Sequence, residues 1–151
     1  MSIPLYVPAG GGEFASIRDG RKKTYFKLTT EQSNGEFGFF EHHMAPEANG
    51  AAPHIHDQST EMFYVVKGEI EFTIGDEKVV GEPGAFAYVP KGAPHGFTNR
   101  GKEDATLLIM FYPIFSREDY FRGLERLTAN GRNPSLEELQ EHMAKYDQRM
   151  V

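Results

Sequence analysis

Two histidines and a glutamate, His54, His56 and Glu61, have a spacing that suits metal binding. His54 and His56 lie two residues apart, so an extended segment turns both imidazoles to the same face. Glu61 lies an odd number of residues after His56, and a turn is needed to bring its carboxylate to that face. The intervening Asp57–Thr60 segment, Asp-Gln-Ser-Thr, has the composition of such a turn. We therefore predict that the three side chains converge on one inward-facing surface.

His95 is the fourth candidate ligand. It follows Pro90–Pro94, a rigid bend that can swing its imidazole over the other three side chains. The chain contains no cysteine, so any metal must be held by nitrogen and oxygen. Three neutral imidazoles and one carboxylate suit one divalent transition metal ion, whether Fe, Mn, Ni, Co or Zn. Four protein ligands leave one or two positions open on a five- or six-coordinate ion.

The elements that must position these residues are short strands joined by turns. Strands are predicted in six stretches: Thr24–Leu28, Glu36–His43, Glu61–Val66, Glu69–Ile74, Ala85–Val89 and Ala105–Tyr112. Between them, glycine-containing pairs such as Lys67-Gly68 and Pro83-Gly84 supply the backbone conformations that a chain reversal needs. This spacing predicts an all-β sandwich or barrel.

The pattern changes after Pro113, where the apolar period lengthens from two to about 3.6 residues. One face of a first helix carries Tyr120, Leu124 and Leu127. Ser116 is predicted to cap this helix, and a capping box formed by Ser135 and Glu138 opens a second one. We expect both helices to pack on the outside of the barrel, and His142, which lies among polar residues, to face solvent.

Several further side chains are candidates for the wall of a substrate pocket. Phe63 and Phe97 share the ligands' face by strand parity, which fits either a pocket wall or plain core packing. Phe40 and His42 complete the candidate set. Because His42 and His43 are adjacent on a strand, at most one of them faces the barrel interior.

Composition excludes several classes of partner. The formal net charge is −6 and the pI is near 5.5, which disfavours nucleic acid and anionic membrane surfaces because both call for clustered Lys and Arg. No apolar run reaches the roughly 18 residues of a membrane span, and the N-terminus lacks the pattern of a secretory signal. These features predict a soluble cytoplasmic protein that binds a small molecule.

Two stretches carry a family resemblance. PHIHDQSTEMFYVVKG resembles the first cupin motif, whose spaced positions are filled here by His54, His56, Glu61 and Gly68. GAFAYVPKGAPHGFTN resembles the second cupin motif, with Gly84, Pro90, Gly92, His95 and Asn99. The chain departs from the usual pattern at Ala48 and Ala85, where glycine and aspartate are common; neither position is a ligand.

The resemblance implies a cupin fold, a double-stranded β-helix or jelly-roll barrel, followed by two C-terminal α-helices. It covers about residues 36–112 by pattern. We expect residues 1–151 to form a single cupin domain, with the barrel at about 23–113 and the helices at about 116–148. The tail, YPIFSREDYFRGLERL with a closing KYD, is similar to the tails of small single-domain cupins of the quercetin dioxygenase type.

Three functions fit these residues. In a metal-dependent dioxygenase of the kind the resemblance implies, Glu61 is both a metal ligand and the base that accepts a proton from an aromatic, enol or flavonol-like substrate, with dioxygen as co-substrate. In a non-redox cyclase, isomerase or decarboxylase of a polyketide-like substrate, the metal polarises a carbonyl while Glu61 or a histidine moves a proton. A binding protein without turnover is the third.

We also expect a homodimer. The nearly continuous apolar stretch Ala105–Tyr112 favours a strand covered on both faces, by the core on one side and by a second layer or another subunit on the other. Cupins commonly pair, and an N-terminal strand such as Ile3–Val7 is a candidate for exchange between subunits.

Overall fold

Eleven strands in two sheets build the fold in the computed structural model, which describes residues 3–151. In chain order they are β1 (Phe14–Ile17), β2 (Lys22–Leu28), β3 (Gly38–Met44), β4 (His54–Ile55), β5 (Thr60–Lys67), β6 (Ile70–Ile74), β7 (Glu77–Gly81), β8 (Phe86–Val89), β9 (His95–Thr98), β10 (Ala105–Tyr112) and β11 (Arg149–Met150). The six-stranded sheet has the order β1-β2-β3-β10-β5-β8, and the five-stranded sheet the order β11-β4-β9-β6-β7. The predicted all-β barrel with two C-terminal helices is confirmed.

Alternation along the strands decides what fills the barrel. β3 alternates between buried and half-buried positions, which turns Phe40 and His42 inward, and β5 turns Glu61 and Phe63 inward. β10 lies between them and contributes Leu107, Ile109 and Phe111 to the same interior. The core therefore mixes aromatic and aliphatic side chains, and Glu61 is one member of its inward-facing rows.

The six predicted strands are confirmed to within two residues at each end. Five short strands escaped prediction: β1, β4, β7, β9 and β11. β7 has four exposed positions out of five, and β4 and β11 have two residues each, so none carries a readable apolar period. Because β1 begins at Phe14, the barrel starts earlier than the expected residue 23.

The outer face of β10 is not covered by a second layer of residues 3–151. Tyr64, Phe86 and Tyr88 on the neighbouring strands are 41%, 59% and 58% exposed, and the register places Tyr64 beside both Phe86 and Leu108. Residues 3–7 form no strand within this chain. Cover by another subunit, and strand exchange with it, stay predictions.

The helices are α1 (Arg117–Thr128) and α2 (Leu136–Ala144), joined by a short 3-10 turn. The predicted cap of α1 is wrong: Ser116 has a left-handed backbone, and its side chain caps nothing. At α2 the Ser135 hydroxyl accepts the Glu138 N–H at 3.1 Å as predicted. The Glu138 carboxylate pairs with Arg132 instead of closing the other half of the capping box. No helix in residues 3–151 is long and apolar enough to cross a membrane.

The helices also reach deeper than the sequence suggested. Tyr120, Phe121 and Met143 join the buried core cluster. The expectation that His142 faces solvent is wrong: its ring stacks on Tyr120, and its Nε2–H donates to the Tyr120 carbonyl at 2.8 Å. Gly123 makes this possible, because any Cβ there would overlap the imidazole. The helices thus close one side of the barrel interior.

Candidate metal centre

The four predicted ligands meet inside the barrel. Their ligating atoms all lie within 4.8 Å of one another, and each residue is at most 3% exposed. The cluster consists of His54, His56, Glu61 and His95. Glu61 Oε2 lies 2.6 Å from His95 Nε2, 2.9 Å from His56 Nε2 and 3.9 Å from His54 Nε2. The carboxylate is therefore at the centre of three imidazoles.

Strand pairing explains this convergence. β4 and β9 pair so that His54 is directly opposite His95. The chain bends after His56, as the sequence predicted, and enters β5 with Glu61 on the inward face. Two imidazoles thus come from a cross-strand pair of one sheet, and the carboxylate comes from the other sheet.

Backbone carbonyls hold each imidazole in the orientation a metal ligand needs. Nδ1 of His54 lies 2.8 Å from the Ala52 carbonyl, and Nδ1 of His95 lies 3.0 Å from the Ala93 carbonyl. Nδ1 of His56 lies 2.6 Å from the carbonyl of Asp147. A carbonyl only accepts, so in each neutral ring the hydrogen is on Nδ1 and the Nε2 lone pair points into the cluster. Three such lone pairs beside a carboxylate fit a divalent cation.

The ionisation of Glu61 and of His54 suits ligation as well. Burial disfavours the charged form of Glu61, but the positive charge of His56 and Nε2–H groups donated by the three imidazoles, when these rings are protonated at Nε2, outweigh it and hold the pKa of Glu61 well below its usual value. Burial lowers the pKa of His54, which keeps that ring neutral. An ionised carboxylate and a neutral imidazole are the forms that bind metal.

Asp147, near the C-terminus, fastens the loop that carries His56. Its carboxylate accepts the backbone N–H groups of Asp57, Gln58 and Ser59 at 2.8–3.1 Å. Its carbonyl is the partner of His56 described above. Sequence reasoning assigned Asp147 no role; the closing KYD carried it only as part of a family resemblance, because the partners are about 90 residues away.

Arg117 is the second residue that the sequence did not reveal. It is fully buried, and its guanidinium lies 4.6 Å from the ring centre of Phe111 and 4.7 Å from that of Tyr120. Its Nη1 donates to Gln148 Oε1 at 2.8 Å, whereas Nε has no hydrogen-bond partner among residues 3–151. A buried cation beside the metal centre therefore rests on aromatic faces and neutral acceptors rather than on a carboxylate.

The metal cluster opens onto a cavity of about 260 Å³ between the barrel and the helices. Among the four predicted pocket residues, His42 and Phe97 lie on its wall. Phe63 packs behind Phe97 at a ring-centre distance of 5.5 Å, and Phe40 lies in the core between Phe26 and Phe121. Contact of any of them with a substrate stays a prediction.

Comparisons with known proteins agree with this fold and site. A family model described as a cupin domain matches residues 40–111. An uncharacterised protein of Methanocaldococcus jannaschii is 30% identical over 76 residues, which span 50% of this chain and 61% of that relative. The matched stretch thus covers about three-fifths of the relative's length.

Solved structures share the fold. A sugar phosphate isomerase of the cupin superfamily from Silicibacter pomeroyi has a TM-score of 0.63 at 18% identity, over 72% of this chain and 75% of that one. An oxalate oxidase in complex with glycolate has a TM-score of 0.52 at 24% identity, over 62% of this chain and 51% of that one. Residues 40–111 thus match a cupin domain, and the chain shares its fold with these solved structures.

Proposed function

We propose that this protein is a metal-dependent dioxygenase that acts on an apolar, conjugated small molecule with an acidic enol or phenol hydroxyl. The observation that carries the proposal is the three-histidine, one-glutamate cluster that opens directly onto a mostly apolar cavity. His54, His56, Glu61 and His95 would hold the ion, with iron, manganese, nickel or cobalt as the redox-active candidates. The bound metal would supply the site at which dioxygen and substrate react.

Glu61 is the residue that would move the proton. Its Oε2 faces the three imidazoles, whereas its Oε1 makes no hydrogen bond within residues 3–151, and Glu61 lines the cavity. In this proposal Oε1 would accept the hydroxyl proton of a bound enol or phenol, which leaves the substrate as its more electron-rich anion. The low pKa of Glu61 supports its being unprotonated when substrate arrives.

The cavity wall would bind and shield the substrate. Phe97, Phe111 and Phe121 present aromatic surface to the cavity, and Ile109 and Met143 add aliphatic surface. A flat conjugated molecule gains stacking and dispersion contacts from such a wall. The same side chains exclude water from the reacting atoms.

A non-redox isomerase or cyclase is the second candidate, because proton transfer by Glu61 needs no change in metal oxidation state. The fold shared with the sugar phosphate isomerase supports keeping it. Zinc in the purified protein would favour this candidate, since Zn²⁺ has no accessible second oxidation state. A binding protein without turnover is the third candidate, and an inert site would favour it.

The test is metal analysis of the purified protein followed by oxygen-uptake assays with quercetin and a panel of related enols. A dioxygenase consumes oxygen in proportion to substrate and depends on the bound metal. Glu61→Gln should lower turnover by about 10²-fold or more, the usual contribution of a positioned base, with metal content measured in parallel. Substrate conversion without oxygen uptake would instead support the isomerase or cyclase.

A further inference from the structure

His42 presents an unpartnered nitrogen to the cavity. Its side chain is 3% exposed, and Nδ1 lies 2.7 Å from the Thr24 hydroxyl oxygen on the neighbouring strand. Nε2 is buried, has no hydrogen-bond partner in residues 3–151, and belongs to a ring on the cavity wall. A buried polar atom without a partner is costly in a folded protein, so its place in a ring that lines a cavity points to a ligand. When the Thr24 hydroxyl donates to Nδ1, the Nε2–H of His42 becomes a donor into the cavity.

Lys22 stands beside this histidine without a carboxylate partner. It lines the cavity from the start of β2, and no ion pair joins it to an acid in the described part of the chain. Arg18 lies at the same end, and its guanidinium donates to the neutral Asn133 side chain. Burial lowers the pKa of His42 to about 3, and the positive charge of Lys22 is the second cause of this shift. His42 is therefore neutral, and the positive charge at this end comes from Lys22 and Arg18.

The charge balance of the cavity favours an anion. Its wall carries three cationic side chains, Arg18, Lys22 and Arg117, against the single carboxylate of Glu61. Glu61 is already committed to the imidazoles of the metal cluster. Within residues 3–151 no carboxylate pairs with Lys22 or Arg18.

Strand register separates this end from the metal cluster. Glu61 is opposite Phe111 on β10, and His42 is opposite Leu107 on the same strand. Four residues along a strand correspond to about 13 Å. Apolar side chains, including Ile109, Phe97 and Phe121, form the cavity wall between the two ends. A ligand that contacts both ends must therefore be elongated.

We propose that Lys22 and His42 form a carboxylate-binding subsite at the end of the cavity away from the metal cluster, and that the ligand is an elongated organic acid. One ammonium and one imidazole N–H match the two oxygens of a carboxylate, and Arg18 adds positive potential at the rim. The apolar wall holds the middle of the molecule. This inference deepens the proposed function, on which it rests for the group that reaches the metal.

Binding of a charge-matched pair tests the subsite without turnover. We would titrate 4-phenylbutyrate and 4-phenylbutanamide, which differ by one negative charge, into the protein by calorimetry. Measurements on metal-free and zinc-loaded protein separate this contact from carboxylate binding at the metal. We expect the acid to bind at least tenfold more tightly than the amide in both forms, as for a charge-assisted contact.

Variants test whether the preference for the acid over the amide depends on Lys22 and His42. Lys22→Gln should reduce the acid-to-amide ratio to within about threefold, and His42→Phe should weaken binding of the acid with the fold monitored by circular dichroism. Lys23→Gln is the matched control, since Lys23 is exposed and outside the cavity, and it should keep the full ratio. Equal binding of acid and amide by the parent protein, no binding of either at millimolar concentration, or a ratio unchanged in Lys22→Gln would overturn the proposal. Oxygen uptake is not involved, so a failure of the dioxygenase proposal remains distinguishable from a failure here.

Discussion

Asp147→Asn is expected to weaken the metal centre without touching any ligand. The variant keeps the shape of the side chain, and asparagine tolerates the left-handed backbone of this position, where φ is 53°. The substitution replaces one carboxylate oxygen with an NH₂ group. This donor then faces a backbone N–H that donated to the carboxylate, so that hydrogen bond is lost. If the amide oxygen takes the place of Oδ1, the N–H of Ser59 loses its partner at 2.8 Å.

The magnitude follows from the hydrogen bonds at stake. A hydrogen bond to a charged acceptor contributes about 1.5–3 kcal/mol, so we expect the free energy of unfolding to fall by about 2–3 kcal/mol. The loosened loop carries His56, whose orientation depends on the Asp147 carbonyl. Loss of such supporting contacts typically lowers metal affinity by about 10–100-fold.

The assay is a competitive chelator titration with zinc, paired with urea unfolding of the metal-free protein. Asp57→Asn is the matched control: it lies in the same loop, but its carboxylate pairs with Arg149 on the surface, where ion pairs contribute little. Metal affinity in Asp147→Asn equal to that of the control would refute the idea that the C-terminal segment positions His56.

Three further outcomes follow from the packing and charges. Phe40→Ala removes a fully buried ring from the aromatic core and should lower the free energy of unfolding by about 3–5 kcal/mol in urea titrations; a loss below 1 kcal/mol would contradict its core placement. Phe86→Glu should convert the expected homodimer into a monomer in light scattering, whereas Val79→Glu on the other sheet should not, because the exposed aromatic patch lies on the β8 side. Burial and then the charge of Arg18 lower the pKa of Lys22 to about 8, so 4-phenylbutyrate affinity should fall as pH rises from 7 to 9. The lowered pKa of Lys22 falls within this window, so a flat profile in the parent protein would exclude its role.

The convergence of the four candidate metal ligands could be predicted from the sequence because their signal is local. Strand parity puts His54 and His56 on one face. The turn-forming residues Asp57–Thr60 indicate the bend before Glu61. His95 lies in the second motif, and the pairing of β4 with β9 places it directly opposite His54. Short-range pattern and the fold's cross-strand geometry therefore agree.

Other features depend on contacts between distant segments, which one sequence does not encode in a readable period. Asp147 meets its loop across about 90 residues, and Arg117 becomes a buried cation only because the helix folds over the barrel mouth. His142 looked solvent-facing from its polar neighbours, yet the missing side chain at Gly123 admits its ring. In each case the contacts and burial of the side chain depend on tertiary packing, and local composition did not indicate them.

Metal content of the parent protein and of His95→Ala tests the central claim most directly. The parent, dialysed against equimolar zinc, manganese, iron, cobalt and nickel, should retain about one divalent ion per chain by elemental analysis, as expected of a single four-ligand site. His95→Ala removes one of the four ligands and should retain much less while keeping the far-ultraviolet circular dichroism of the parent. Equal metal content in the two proteins would contradict a centre built by His54, His56, Glu61 and His95.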